Sequence, residues 1–298
     1  MSTVPTFATP PGFFGLPTRH AAGAAFVIAG IPLDIGTTNR AGARFGPQAI
    51  RQASRMLVDG AHPVRWIDPL ALNIADVGDF SIALGDLPKS IALIDQQATK
   101  IDGHLIVLGG EHGVTLPLLR ALRRRLGAPV GLLHADAHVD TWPDSFGQTL
   151  GHGSVFFHAI EEGLIDPART VQVGIRSPVQ RSVMEWTLAR GVTVISAQDV
   201  HAAGPDAIAG RVRNIVGDSL PSYLSFDIDA LDPAFAPGTG TPEIGGLASW
   251  QAQALLRGLG GVPFAGMDVV EVLPAHDVSE ITALAAATIV WEYLALVA

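Results

Sequence analysis

The sequence predicts an α/β protein: a single three-layer domain in which a mostly parallel sheet of about eight strands is flanked by helices. Two observations predict it. Short apolar, β-rich runs alternate with helical stretches along the whole chain, as in strands that pair in parallel because a helix carries the chain back between them. With 298 residues, 48% hydrophobic and only 16% charged, the chain can also bury one large core.

Taken in order, the strand signals are Ala25–Ile31, Leu72–Val77, Leu105–Leu108, Val130–His134, Thr170–Ile175, Val192–Ile195, Tyr223–Phe226 and Phe264–Val270. Helices are expected at Gln48–Leu57, Lys89–Lys100, Leu116–Leu126, Val179–Arg190, Pro205–Val216, Ser249–Gly258 and Ser279–Leu296. The apolar run from Ile281 is cut by Glu292, so it reads as a buried helix and not a membrane span. No repeat, low-complexity tract or linker interrupts the series. One domain is therefore expected over residues 1–298, with residues 1–22 as an N-terminal extension.

Composition narrows the function classes. The chain has no cysteine, which excludes disulfides and thiolate metal ligands. Its net charge of −9 argues against nucleic acid, since the only basic stretch is the short Arg120–Arg125 segment, and suits a cationic substrate. The N-terminus lacks the basic region and apolar core of a secretory signal, so a cytoplasmic enzyme with no membrane partner is expected.

Chemistry concentrates in three motifs. HADAHVD (134–140) places Asp136, His138 and Asp140 at alternate positions after an apolar run, so that in extended backbone they point to one face. SFDIDALDP (225–233) repeats the device with Asp227 and Asp229, and VLGGEH (107–112) ends another run with Glu111 and His112. In open parallel sheets, ligands sit outside the carboxyl ends of the strands, where all three motifs fall. Four carboxylates gathered there would repel one another and resist ionising together. Two divalent cations would neutralise them, with His112 and His138 as neutral nitrogen ligands. Oxygen-rich coordination with two imidazoles suits Mn²⁺ first and leaves nickel, cobalt, zinc and iron open.

At these residues the chain resembles the ureohydrolases, the arginase and agmatinase superfamily of binuclear manganese amidinohydrolases. The agmatinase branch is resembled further in RAGARFGPQAIR (40–51), HGSVF (152–156), EEGLIDP (161–167), VGIRS (173–177), GMDVVEV (266–272) and EITALAAAT (280–288). The resemblance implies an arginase-like fold and two metal ions, with Mn²⁺ expected and Ni²⁺ possible. One ion would be held by His112, Asp136, Asp140 and Asp227, the other by Asp136, His138, Asp227 and Asp229. It implies hydrolysis of a guanidino compound to urea and an amine, by attack of a hydroxide bridging ions about 3.5–4 Å apart. His152 matches the family's proton-shuttling histidine, and Glu271 the glutamate that receives the guanidinium, a fork that a carboxylate meets with paired hydrogen bonds.

Other motif residues take lesser roles. Asp232, before Pro233, reads as a loop-shaping residue, and Glu111, standing where an aspartate is common, as an acceptor that orients a ligand. His134 reads as buried beside the site, and His158 as part of the following helix. The loop TWPDSFGQTLGHG (141–153) departs from the better-known agmatinases and looks closer to that of bacterial enzymes acting on guanidino acids or related compounds. Gly15 and His276 depart as well, and Trp142, Phe146 and Phe157 are available to wall a tail pocket or simply to pack. Agmatine, 4-guanidinobutanoate, guanidine and N-alkylated guanidines or biguanides, the last handled by nickel-dependent relatives, thus all stand as candidate substrates. The resemblance further implies a homo-oligomer, trimer or hexamer, with a mixed oligomer with a paralogue as the alternative. A noncatalytic subunit of such an assembly is the competing functional class, against which the filled ligand positions argue.

Overall fold

The computed structural model describes residues 12–298. Eight strands form one parallel sheet: β1 (Phe26–Ile31), β2 (Ile74–Asp79), β3 (His104–Gly109), β4 (Val130–Ala135), β5 (Ile165–Ile175), β6 (Thr193–Ser196), β7 (Ser222–Asp227) and β8 (Phe264–Val270). Their spatial order is β2-β1-β3-β8-β7-β4-β5-β6, and every pairing is parallel. The chain returns between strands through α1 (Gly46–Ser54), α2 (Leu87–Ala98), α3 (Thr115–Leu126), α4 (Val155–Glu161), α5 (Arg181–Ala189), α6 (Ala197–Ala203), α7 (Pro205–Val216) and α8 (Ser249–Arg257), and α9 (Ile281–Val297) follows the last strand.

Strand alternation divides the core. Ile28, Ile106, Leu133 and Leu224 face a layer built from α1, α6, α7, α8 and α9, while their neighbours Ala29, Val107, Leu132 and Tyr223 face the layer of α2, α3 and α4. All eight expected strands are present. The longest departure is β5, which begins at Ile165, five residues before its apolar run. Of the two seven-residue helices, α4 was expected only as the helix that carries His158 and α6 was not expected, because so short a segment shows too few turns to display a helical period. The second carried a readable start signal all the same, a capping box between Ser196 and Asp199.

Helix α9 is buried almost all round, as an apolar run with a single carboxylate requires. Glu292 is satisfied there by Arg257 Nε at 2.9 Å and by the His62 ring nitrogen Nε2 at 3.0 Å. His62 Nδ1 accepts the amides of Val64 and Arg65, which leaves the ring proton on Nε2 for the glutamate. Of the expected N-terminal extension, residues 1–11 lie outside the described residues. The next stretch packs into the core: Phe13 and Phe14 are buried, and the Phe13 amide donates to Asp76 Oδ2 at 2.7 Å. Gly15 there takes φ 71°, a backbone conformation that any side chain strains.

A buried ion pair fastens α1 to β2. Arg51 donates to both oxygens of Asp76, at 2.8 and 3.0 Å, and neither side chain is more than 7% exposed. Removing one partner leaves the other charge buried and unpaired. Arg51→Met should lower the unfolding free energy by about 3–5 kcal/mol in urea titrations; a loss below about 1 kcal/mol would show that Asp76 finds another partner.

Candidate active site

Four neighbouring strands, β3, β8, β7 and β4, deliver the site from their carboxyl ends. Immediately after β3 come Glu111 and His112; after β4, Asp136, His138 and Asp140; Asp227 closes β7 with Asp229 in the turn behind it; Glu271 follows β8. The structure thus brings together all six residues singled out as ligands, and each except His138 is at least nine-tenths buried. Asp140 and Glu271 hold left-handed backbones, φ 48° and 63°, which side chains other than glycine adopt at a cost.

His112 is the hub. Its Nδ1 lies 3.1 Å from Asp136 Oδ2, 3.0 Å from Asp140 Oδ2 and 3.2 Å from Asp227 Oδ2, yet makes no hydrogen bond of acceptable geometry. His138 Nδ1 lies 3.2 Å from both Asp136 Oδ1 and Asp229 Oδ2. Around His112 Nδ1, lone pairs turned toward one another across such distances repel unless a positive charge lies between them, whereas His138 Nδ1 is in hydrogen-bond reach of Asp136 Oδ1. The titration of the cluster shows the same demand. Although burial opposes it, the His134, His112 and His138 rings hold the Asp136 carboxyl well below the usual range. Burial together with the charges of Asp229 and Asp136 pushes Asp227 well up, and burial with Asp136 raises Asp229. Against the desolvation cost, Asp229 and Asp136 push His138 up to about 12. Buried carboxylates and imidazoles converging on shared points fit divalent cations, and the ligand atoms of Asp136, His138 and Asp229 lie within 4.8 Å of one another, as do those of His112, His134, Asp136 and Asp140.

His134 belongs to that second group by distance, but its hydrogen bonds give it another task. Gln172 Nε2 donates to its Nδ1 at 3.1 Å, so its proton sits on Nε2 and goes to Asp136 Oδ2 at 2.7 Å. A comparable relay fixes His112. Asp268, wholly buried, accepts from Ser225, Thr115 and Tyr223 at 2.6, 2.8 and 2.9 Å, so the Ser225 oxygen is free to accept from His112 Nε2 at 2.8 Å. The ring proton is thereby kept on Nε2 and the Nδ1 lone pair turned to the carboxylates. Asp232 accepts the amides of Ala234, Gly245 and Gly246 and shapes its loop, as expected. Glu111 differs from expectation: it touches no candidate ligand side chain, and its Oε2 accepts the Gly36 amide at 2.7 Å. Burial and the charge of Glu271 push it up to about 8.

Beside the cluster stands a second pair. Glu271 Oε1 accepts the His112 amide at 2.8 Å and faces His152 Nδ1 at 3.0 Å, while Oε2 is buried without a partner. Burial works against a charged His152, but Glu271 more than offsets it and the ring is pushed up to about 9. Its other nitrogen meets the Thr38 hydroxyl at 2.8 Å. A cavity of about 530 Å³ opens over Asp140, Asp227, His138 and His152, walled by Trp142 and Phe146 among others. Phe157 is not part of it and stacks on Trp186 at 4.8 Å; His276 lies exposed in a turn beyond Glu271.

Sequence reasoning missed Thr38, Ser225, Gln172 and Asp268. Ser225 and Asp268 lie inside motifs already singled out, and a polar side chain in an otherwise apolar central strand was the available signal.

The Arginase family model matches residues 24–295. The chain belongs to the arginase family. It is 46% identical to the agmatinase of Salmonella enteritidis PT4 over 291 residues, covering 95% of this chain and 92% of that protein. Among solved structures, a hypothetical agmatinase from Burkholderia thailandensis superposes with a TM-score of 0.91 at 44% identity, covering 98% of this chain and 91% of that one. The proclavaminate amidino hydrolase of Streptomyces clavuligerus gives 0.93 at 39% identity, over 99% of both chains. The protein is thus an agmatinase-like ureohydrolase, a hydrolase of linear amidines, with a buried His/Asp metal-binding cluster.

The Ser225 relay is testable on its own. Ser225→Ala removes the acceptor that fixes the His112 ring and should weaken divalent-metal affinity about 10- to 100-fold in calorimetric titration. Affinity unchanged within about twofold would show that the ring needs no such support.

Proposed function

We propose that the protein is a metal-dependent amidinohydrolase that splits a guanidino compound into urea and an amine. The single observation that carries this reading is the unpartnered, buried Oε2 of Glu271, whose other oxygen holds the His112 amide and faces His152, a residue that lines the cavity. One cation would be held by His112, Asp136, Asp140 and Asp227 and the other by Asp136, His138, Asp227 and Asp229, Mn²⁺ being the ion we expect and Ni²⁺ the alternative. Such a pair, when bound, supplies Lewis acidity and lowers the pKa of water.

The chain's own residues do the rest. A guanidinium is planar and donates from adjacent nitrogens, so the open oxygen of Glu271 can accept from it and fix its plane. Charge attracts the substrate as well, because Asp140, Asp144 and Asp227 line the cavity and, among the described residues, no lysine or arginine does. His152, whose Nδ1 is anchored by Glu271, can hold a proton at Nε2 and give it to the departing amine nitrogen. Trp142 and Phe146 give the cavity an apolar wall.

The same inventory bears on the substrate's tail. A carboxylate tail would enter beside Asp144 with no lysine or arginine among the described lining residues to receive it, whereas a neutral or cationic tail meets aromatic rings and Asp144. We therefore favour agmatine over 4-guanidinobutanoate. A homo-oligomer, trimer or hexamer, and a cytoplasmic setting belong to the same proposal; the exposed Phe235 and Ile281, which line one surface groove, are apolar area such an assembly could cover. Among the described residues, no helix is long and apolar enough to cross a membrane.

The test is urea release from a panel of guanidino compounds by protein loaded separately with Mn²⁺ and Ni²⁺. Agmatine should exceed 4-guanidinobutanoate by at least about tenfold in kcat/KM; the reverse order would refute the tail argument, and no urea from any compound with either metal would refute the hydrolase. His152→Ala should retain metal while kcat falls about 10²- to 10⁴-fold, and an unchanged pH–rate profile would remove His152 from proton transfer.

A further inference from the structure

The loop from Asp34 to Thr38 lies between β1 and α1 and belongs to none of the ligand motifs, yet it reaches the outer face of His152. Its Gly36 peptide is gripped on both sides. The amide donates to the buried Glu111 Oε2 at 2.7 Å, and the carbonyl accepts the His152 amide at 3.3 Å. Two residues on, Thr38 meets the outer ring nitrogen twice, with its backbone N–H 3.2 Å and its Oγ 2.8 Å from His152 Nε2.

The chemistry of these partners differs. Glu271 Oε1, 3.0 Å from Nδ1, can only accept, so Nδ1 carries a proton and the neutral ring presents its Nε2 lone pair to Thr38. A backbone amide can only donate, and so serves the neutral ring alone. A hydroxyl can donate to that lone pair and, by rotating, accept from the imidazolium. Thr38 is also exposed and lines the cavity, so its hydroxyl joins the buried ring to the space where substrate enters. The charged groups facing the ring are Glu271 from the end of β8, Asp140 from the loop after β4 and Glu111 from the loop after β3.

We infer that Thr38 is a positioning residue for proton transfer, its hydroxyl holding the outer nitrogen of His152 in both charge states at a place set by the Glu111–Gly36 clamp. This rests on the hydrolase reading above. When the ring takes up a proton at Nε2, the hydroxyl turns from donor to acceptor; when that proton leaves for the amine, it turns back. No other bond is made or broken.

The experiment compares Thr38→Val, which keeps the shape and loses the hydroxyl, with Thr38→Ser in the Mn²⁺-loaded enzyme. Thr38→Val should keep its metal content and melting temperature and its KM within about twofold, while kcat falls about tenfold and the solvent isotope effect on kcat grows. Thr38→Ser should recover most of the rate. A Val variant within about twofold of the parent kcat, or Val and Ser variants equally slow, would overturn the inference. If the parent hydrolyses no guanidino compound, the hydrolase reading fails and Thr38 is judged apart from it, by the ¹⁵N resonance of His152 Nε2 in protein loaded with diamagnetic Zn²⁺. A resonance that moves in the Val variant and returns in the Ser variant supports the inference; one that stays put in both overturns it.

Discussion

Mutual repulsion among four buried carboxylates is the constraint on which the rest of the structure depends. Asp136, Asp140, Asp227 and Asp229 occupy one small volume at the sheet edge, with the His112 and His138 imidazoles between them. Burial and crowding raise Asp227 and Asp229, while the imidazoles are drawn toward their charged forms. A fold can hold such a cluster only if its scaffold is stiff and its charge is answered by something cationic.

The parallel sheet supplies the stiffness. Four adjacent strands end at one level, so ligands from distant parts of the chain converge without long loops, and each motif begins on backbone already fixed by pairing on both sides. Behind the ligands, buried polar side chains set which nitrogen faces inward: Asp268 through Ser225 for His112, and Gln172 for His134. Glu271 connects the cluster to the chemistry beside it, because one oxygen holds both the His112 amide and the His152 ring. Charge balance, ring orientation and the carboxylate proposed to meet substrate are thus parts of a single hydrogen-bonded unit.

Much of this was legible in the sequence. Apolar runs of four to seven residues marked all eight strands, because strands buried on both faces need continuous apolar sequence, and the alternate spacing of Asp136, His138 and Asp140 after such a run marked a ligand-bearing edge. Helix α6 was hidden by its length, and α4 was marked only by the reading of His158. Thr38 was hidden for a different reason: a threonine in a loop has no pattern of its own, and its contact with His152, 114 residues away, exists only after the sheet has formed. His134 and Glu111 show the limit of motif reading from the other side. Both sit within ligand motifs, but the hydrogen bonds each makes, to Asp136 and to Gly36, become visible only in three dimensions.

Anomalous diffraction from crystals of the Mn²⁺-loaded protein tests the central claim most directly. The account predicts two metal peaks per chain, one bounded by His112 and Asp140, the other by His138 and Asp229, with Asp136 and Asp227 touching both. A single peak, or two peaks outside this set of six side chains, would contradict it.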